Sequence, residues 1–366
     1  MNVFFQLKRF LGILLILFIF FNAYASDPKI EILTSDHDVI WGFDFLDSNQ
    51  IIFSERNGKL KILDLKSKKV FEVAGLPEVW SKGQGGLLDV RVHYKDKNKV
   101  YLTYSDPVSK SKATTSLGVG TLKGNKLVDF KRIFKAYAES DNAIHFGSRI
   151  EFDKNGFLFM TIGDRNERPK VQSLEHHNGK IVRLNEDGSI PKDNPFVADK
   201  KARPEIWTLG HRSPQGLFYD EVRKKLWMTE MGPRGGDELN LIEKKKNYGW
   251  PVVTFGNEYS GFKVGDGITE KAGMEQPLVY WVPSISPSGM VVYNGDQLKN
   301  WKHNLFLGCL SGQQIRRLVM KEDKIIEQES LLEKQGERFR QLHPGPDGYL
   351  YYSTDSGKIS RIISVN

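Results

Sequence analysis

Apolar and polar residues alternate along this chain in short runs, and no segment carries a long apolar stripe with a 3.6-residue period. One pattern recurs six times. A short strand leads into a turn with Asp, Asn or Gly, and a second strand rich in aromatic and β-branched residues follows, often with a third behind it. The copies run over Trp41–Leu63, Gly86–Tyr104, Ser148–Asp164 with Gly179–Leu184, Gln215–Glu230, Gly289–Gly308, and Arg340–Asp355 with Gly357–Ile362. Turns such as Asp153-Lys154-Asn155-Gly156 and Pro346-Asp347-Gly348 suit hairpins, because Gly and Asn tolerate positive φ. The pattern predicts an all-β fold, a six-bladed β-propeller with four-stranded antiparallel blades and the chain ends joined in one sheet. A β-sandwich or β-helix is the competing arrangement. The copies are unevenly spaced, so long loops must lie between strands, and loops on a rigid radial scaffold are where function sits.

Composition narrows the class. Of 366 residues, 39% are hydrophobic and 27% charged, which excludes a disordered acidic chain, a collagen and a coiled coil. A mean hydropathy of -0.42 excludes a polytopic membrane protein. The single cysteine, Cys309, excludes an intrachain disulfide and a Cys-rich zinc site; its apolar strand marks it as a buried small hydrophobe. The N-terminus has Lys8 and Arg9, an apolar run from Phe10 to Phe21 and Ala23-Tyr24-Ala25. Those are the parts of a secretory signal over residues 1–25, cut after Ala25, with an uncleaved anchor as the alternative. The expectation is a periplasmic or secreted protein whose residues 26–366 form a single propeller domain, with no stable membrane insertion after processing. Processing removes two cations and no acid, so the net charge of +8 becomes +6 and the basic balance belongs to the domain. Such a charge favours an anionic partner: nucleic acid, a membrane surface or a small polyanion. Export makes nucleic acid a poor fit.

Polar and glycine residues gather at five loop entrances. Gly83-Gln84-Gly85-Gly86 lacks the Lys of a phosphate cradle, but its glycines let backbone approach a ligand and Gln84 offers donor and acceptor; a plain tight turn is the bland reading. His145, opening the third copy, has the pKa range of a general base, against a structural histidine. Arg212, in Gly210–Gly216, suits an anion or developing negative charge, against a surface salt bridge. Glu230–Glu238 and Asn247–Pro251 combine carboxylates with Gly-Pro turns, which suits Ca²⁺ without matching an EF-hand; the alternative is a solvated acidic turn. Arg338 and Arg340, two residues apart on a strand, share a face and call for an anion beside them unless solvent screens them. His176 and His177 are adjacent with no third ligand at useful spacing, a weak metal signal, and no Gly-x-Ser-x-Gly elbow occurs. Jointly the sites describe one axial pocket for a polyanionic organic ligand and a divalent cation.

In chain order these segments resemble the soluble aldose sugar dehydrogenases that depend on pyrroloquinoline quinone (PQQ), within the glucose/sorbosone dehydrogenase family. The matching stretches are Gly83–Leu88, His145–Arg149, Leu209–Gly216, Gly232–Asn240, Asn247–Pro251, Pro283–Gly289 and Arg338–Arg340. The resemblance implies a six-bladed propeller. It implies that His145 takes the C1 hydroxyl proton of an aldose while hydride passes to the quinone and the sugar becomes a lactone. Gln84 then lies beside the reacting groups and Arg212 over the reactive quinone oxygens. Arg338 and Arg340 hold PQQ carboxylates, and Ser311 and Trp281 fall at cofactor positions. Carbonyls of Gly232 and Pro233 bind Ca²⁺, with Asp237, Glu238 and Tyr248 around it. An external quinone or redox protein takes the electrons. The chain departs from the glucose-specific branch at Ile144 and Ser213, and Ser311 stands where family members carry a PQQ-contacting Lys. A non-catalytic ligand-binding propeller and a metal-dependent sugar lactonase are the competing functions.

Overall fold

The computed structural model describes residues 27–322 and 324–365. The expected signal peptide lies outside the described residues. Strand β1 (Lys29–Thr34) comes first and belongs to the last sheet. Blade one is β2 (Ile40–Phe45), β3 (Gln50–Glu55), β4 (Lys59–Asp64) and β5 (Val70–Val73). Blade two is β6 (Leu87–Val92), β7 (Lys99–Pro107), β8 (Ala113–Lys123) and β9 (Lys126–Lys135). Blade three is β10 (Gly147–Phe152), β11 (Leu158–Ile162), β12 (Lys180–Leu184) and β13 (Ile206–Leu209), with the short helix α1 (Arg168–Val171) between its second and third strands. Blade four is β14 (Pro214–Asp220), β15 (Lys225–Glu230), β16 (Asp237–Ile242) and β17 (Val279–Trp281). Blade five is β18 (Pro287–Val292), β19 (Leu305–Cys309), β20 (Gln314–Lys321) and β21 (Lys324–Leu331). Blade six is β22 (Phe339–Pro344), β23 (Leu350–Thr354) and β24 (Ile359–Ser364), completed by β1, which pairs with β24. The predicted propeller and its closure by the two chain ends are both present.

Every blade is sandwiched between two others, so its middle strands are buried on both faces; β2, β10 and β19 have no exposed residue. Six apolar clusters fill the six gaps between neighbouring blades. Between blades one and two, for example, Ile52 and Leu60 meet Val90 and Leu102. Hydroxyls of the second strands tie the gaps. Ser54 donates to the Leu88 carbonyl, Thr103 to Ser148 (2.7 Å), Thr161 to Pro214 (3.3 Å), Thr229 to Ser288 (3.0 Å) and Ser353 to Ile40 (3.0 Å). Blade five has Gly308 at this place, and a Cβ there would stand 2.7 Å from the Phe339 carbonyl.

The inner strands set the site. Each of β2, β6, β10, β14, β18 and β22 shifts register just inside its N-terminal end, between Ile40/Gly42, Leu87/Val90, Gly147/Ile150, Pro214/Gly216, Pro287/Met290 and Phe339/Gln341. Bulges turn side chains out of the sheet, and here they do so at one end of the axis in all six blades. Cys309 is fully buried, as its apolar surroundings in the sequence imply. Among the described residues, no helix is long and apolar enough to cross a membrane.

Candidate functional site

The six bulged strand ends and their entry loops enclose a cavity of about 260 Å³. Its wall runs through Trp41 and Arg56 of blade one, Gln84 and Leu88 of blade two, Phe146 of blade three, Gln215 and Met231 of blade four, Ser286 and Leu310 of blade five, and Arg338, Arg340 and Asp355 of blade six, with Tyr259 reaching in from the long loop before β17.

His145 stands immediately before β10 with φ of 55°, a left-handed conformation that non-glycine residues adopt at a cost. Its backbone N–H donates to Gln84 Oε1 (2.8 Å), which ties the Gly83–Gly86 loop to the histidine. Gly86 is needed there: a Cβ would lie 1.7 Å from the Arg56 carbonyl. The imidazole is buried, and Nδ1 lies 2.7 Å from Asp164 Oδ1. A carboxylate only accepts, so Nδ1 carries the proton and Nε2 the lone pair. The Trp250 indole N–H holds Asp164 Oδ2 at 2.8 Å, and the Asn166 N–H holds Oδ1 at 2.8 Å. Burial opposes charge on Asp164, but the bonds from His145 and Asn166 hold its carboxyl below the usual range. Burial pushes the His145 pKa down; Asp164 opposes this, while the Arg212 and Arg165 guanidiniums add to the depression. The imidazole is therefore neutral and able to accept a proton at neutral pH. His211, by contrast, is fully buried between Thr208 Oγ1 (2.9 Å) and Glu230 Oε1 (3.1 Å) and stacks on Tyr248.

Arg212 donates through Nη1 to the Met231 (3.0 Å) and Gly232 (2.7 Å) carbonyls, and its buried Nε has no partner. Its own N–H is held by Glu230 Oε2 (2.6 Å). It lines a small cleft beside the cavity with Glu230, Gly232, Glu238, Tyr248 and Thr254, and Met231 borders both spaces. Glu238 faces Glu230 across β15–β16. Burial and the neighbouring Glu230 charge raise its carboxyl well above the usual range, and Asn240 donates to it at 3.0 Å. A buried carboxyl so raised, beside a second carboxyl and a turn of carbonyls, fits a hard cation. Among the described residues no three His, Cys, Asp or Glu side chains form a metal cluster, so backbone oxygens would have to complete such a site.

Other expected site residues have distinct surroundings. Asp237 accepts from the N–H groups of Gly232 (3.0 Å), Ile285 (2.7 Å) and Ser286 (2.8 Å) and from Ser284 Oγ (2.8 Å). It is the clamp that fixes the Gly232–Pro233 turn against the loop entering blade five. The Tyr248 hydroxyl is engaged by the Leu241 carbonyl (2.6 Å) and the Glu243 N–H (3.0 Å). Ser311 bonds Ser286 Oγ (2.7 Å) at the cavity edge. Trp281 is not brought to the cavity: it packs between blades four and five and donates to Gln328 Oε1 (2.9 Å). His176 stacks on Tyr137, whereas His177 accepts the Tyr137 N–H (2.8 Å) and lies 2.9 Å from Glu205, so the pair diverges.

Arg338 and Arg340 meet on one carboxylate. Asp355 receives Arg338 Nε (2.9 Å), Arg340 Nε (2.8 Å) and Arg340 Nη2 (3.0 Å). Burial would raise this carboxyl, but the two guanidiniums hold it below its ordinary range. The anion expected beside the two arginines is thus partly supplied by the chain itself.

The family model described as Glucose / Sorbosone dehydrogenase matches residues 37–361. The chain belongs to this family. It is 39% identical over 352 residues to the aldose sugar dehydrogenase YliI of Escherichia coli, covering 94% of this chain and 95% of the relative. A crystal structure of a glucose dehydrogenase superposes with a TM-score of 0.89 at 39% identity, over 92% of this chain and 100% of that one. A PQQ-bound aldose sugar dehydrogenase from Streptomyces coelicolor shares the fold at 22% identity, with a TM-score of 0.76 over 92% of this chain and 99% of that one. The family is one of oxidoreductases.

Sequence reasoning named His145, Gln84, Arg212, Arg338 and Arg340 and missed Asp164, Asp355, Arg56 and Tyr259. Asp164 had a signal: it closes the hairpin that His145 opens, where Gly147 pairs with Ile162. Asp355 follows β23, whose Thr354 pairs with Phe339 between the two arginines.

Proposed function

We propose that this propeller oxidises the C1 hydroxyl of an aldose to the lactone, in the periplasm or outside the cell, with PQQ and Ca²⁺ as resident groups. The observation that carries the reading is the His145–Asp164 pair, tied to the cavity-lining Gln84 and next in the chain to the cavity-lining Phe146, beside a cavity that three arginines line. The donor set fits the groups: a flat tricarboxylate suits a wall with Arg56, Arg338 and Arg340, and a hard cation suits the cleft between Glu238 and the Gly232–Pro233 turn. The Streptomyces protein supports this at the level of the fold, since the same architecture holds PQQ there.

When bound, PQQ would supply the hydride acceptor and Ca²⁺ the charge that polarises it. His145 Nε2 takes the C1 hydroxyl proton, and Asp164 keeps the ring in the productive tautomer and stabilises the imidazolium that results. Gln84 fixes the histidine backbone. Arg212 presents positive charge where negative charge develops, and its unpaired Nε is a donor free for that purpose. Asp237 holds the cation turn in shape. A quinone or redox protein outside the cavity then takes the electrons. Dye reduction by purified protein should require both PQQ and Ca²⁺ and should occur with aldoses. Sugar oxidation unaffected by removing PQQ would contradict the reading.

A further inference from the structure

Three guanidiniums and one carboxylate line the cavity, an excess of positive charge. Arg338 and Arg340 already share that carboxylate, Asp355. A ligand carboxylate meeting them must compete with it. Arg56 is different. It sits in the hairpin after β3, and its backbone is pinned: the carbonyl accepts the Leu87 N–H (3.2 Å) and Ser81 Oγ (3.2 Å). Arg56 lines the cavity, and among the described residues its guanidinium has neither an ion pair nor a hydrogen bond. Arg56 shares this cavity lining with Arg338 and Arg340 and adds a fork whose donors are all free.

We propose that Arg56 is a carboxylate-binding residue of this cavity and holds one carboxylate of the quinone cofactor. This rests on the PQQ reading above. A neutral aldose offers no anion to complete a guanidinium fork, whereas a tricarboxylate offers one more than the Asp355-tied pair can readily take. Arg56 would then supply a cation in a cavity whose blade-five edge carries the uncharged Ser311.

The test is a PQQ titration of the purified mature apoprotein with Ca²⁺ present, followed by quenching of tryptophan fluorescence. Arg56→Gln should raise the Kd about 10- to 100-fold, the scale of a hydrogen bond to a charged group, and Arg56→Lys should fall between. Lys69→Gln, in the turn joining β4 to β5 at the other end of the blade, should bind as wild type and controls for net charge. The KM for a neutral aldose at saturating PQQ should not move in Arg56→Gln. A wild-type Kd in Arg56→Gln overturns the assignment. So does a rise in KM for a sugar acid alone with the PQQ Kd unchanged, which gives the arginine to the substrate. Wild-type protein that binds no PQQ overturns the cofactor reading itself, before any variant is compared.

Discussion

At the scale of single residues, the chemistry rests on which nitrogen of His145 is free. Asp164 accepts from Nδ1, which leaves Nε2 as the proposed base. Asp164→Asn would present an amide N–H to Nδ1 and force the proton onto Nε2, removing the base while leaving the ring in place. Turnover should fall about 10²- to 10⁴-fold, the usual worth of general-base catalysis, with PQQ binding retained. A variant with wild-type kcat would refute the tautomer argument. The same geometry sets the pH profile. Burial depresses the His145 pKa below its ordinary 6.5, so the base stays neutral into mild acid, and the acid limb of kcat should lie below pH 6.5. A limb above that value would contradict the assignment. His145 was legible as a base candidate from its type and place, and the spacing of Arg338 and Arg340 as a call for a carboxylate, which Asp355 in part supplies. Their partners were not. Asp164 and Asp355 reach them only across hairpins, through strand registers that no local pattern reveals.

At the scale of strands, the repeat was legible because the inner and second strands bury both faces and so keep dense apolar character. The outermost strands were not delimited. β5 exposes Phe71 and Glu72, and β17 is three residues long behind a loop that begins after Ile242. An outermost strand packs on one side only, and its sequence is correspondingly loose. The second strands carry a further rule, the hydroxyl that bonds the next blade. Thr229→Val should cost about 1–3 kcal/mol, because it strands the buried Ser288 carbonyl. Blade five inverts this rule. Gly308→Ser would install the residue type the other blades use, yet it should destabilise, since its Cβ meets the Phe339 backbone oxygen at 2.7 Å. Urea unfolding of both variants checks the pair; a Gly308→Ser protein as stable as wild type would show that the blade-five gap can open.

At the scale of the whole molecule, the two ends of the axis have different tasks. The end opposite the cavity is tied together by charge: Arg91 lies 2.6 Å from Glu151 and 3.9 Å from Asp44, and His343 lies 3.2 Å from Asp44, joining inner strands of four blades. Burial would raise Asp44, but His343 and Arg91 hold it far below its ordinary 3.8, so the stability it contributes is fully present above that pH and is lost as the pH falls through the lowered value. Arg91→Ala would leave the buried Glu151 carboxylate without its cation and Asp44 with His343 alone, at about 3–5 kcal/mol near neutrality. The deficit should shrink at pH 4.5 as those carboxyls take up protons, and an equal deficit at both pH values would contradict the charge account. The cavity end, by contrast, is built from six strand ends and their loops, with three arginines on its wall and the His145–Asp164 pair next to it. The proposal is tested where these groups would act together, as one redox site for sugar. The direct test is to load the protein with PQQ and Ca²⁺, exclude oxygen and dye, add an aldose, and follow the absorbance of bound PQQ. Rapid reduction in wild type, slowed by orders of magnitude in His145→Ala with PQQ still bound, is the predicted result; loaded wild-type protein whose PQQ stays oxidised, or a His145→Ala variant reduced at the wild-type rate, would contradict it.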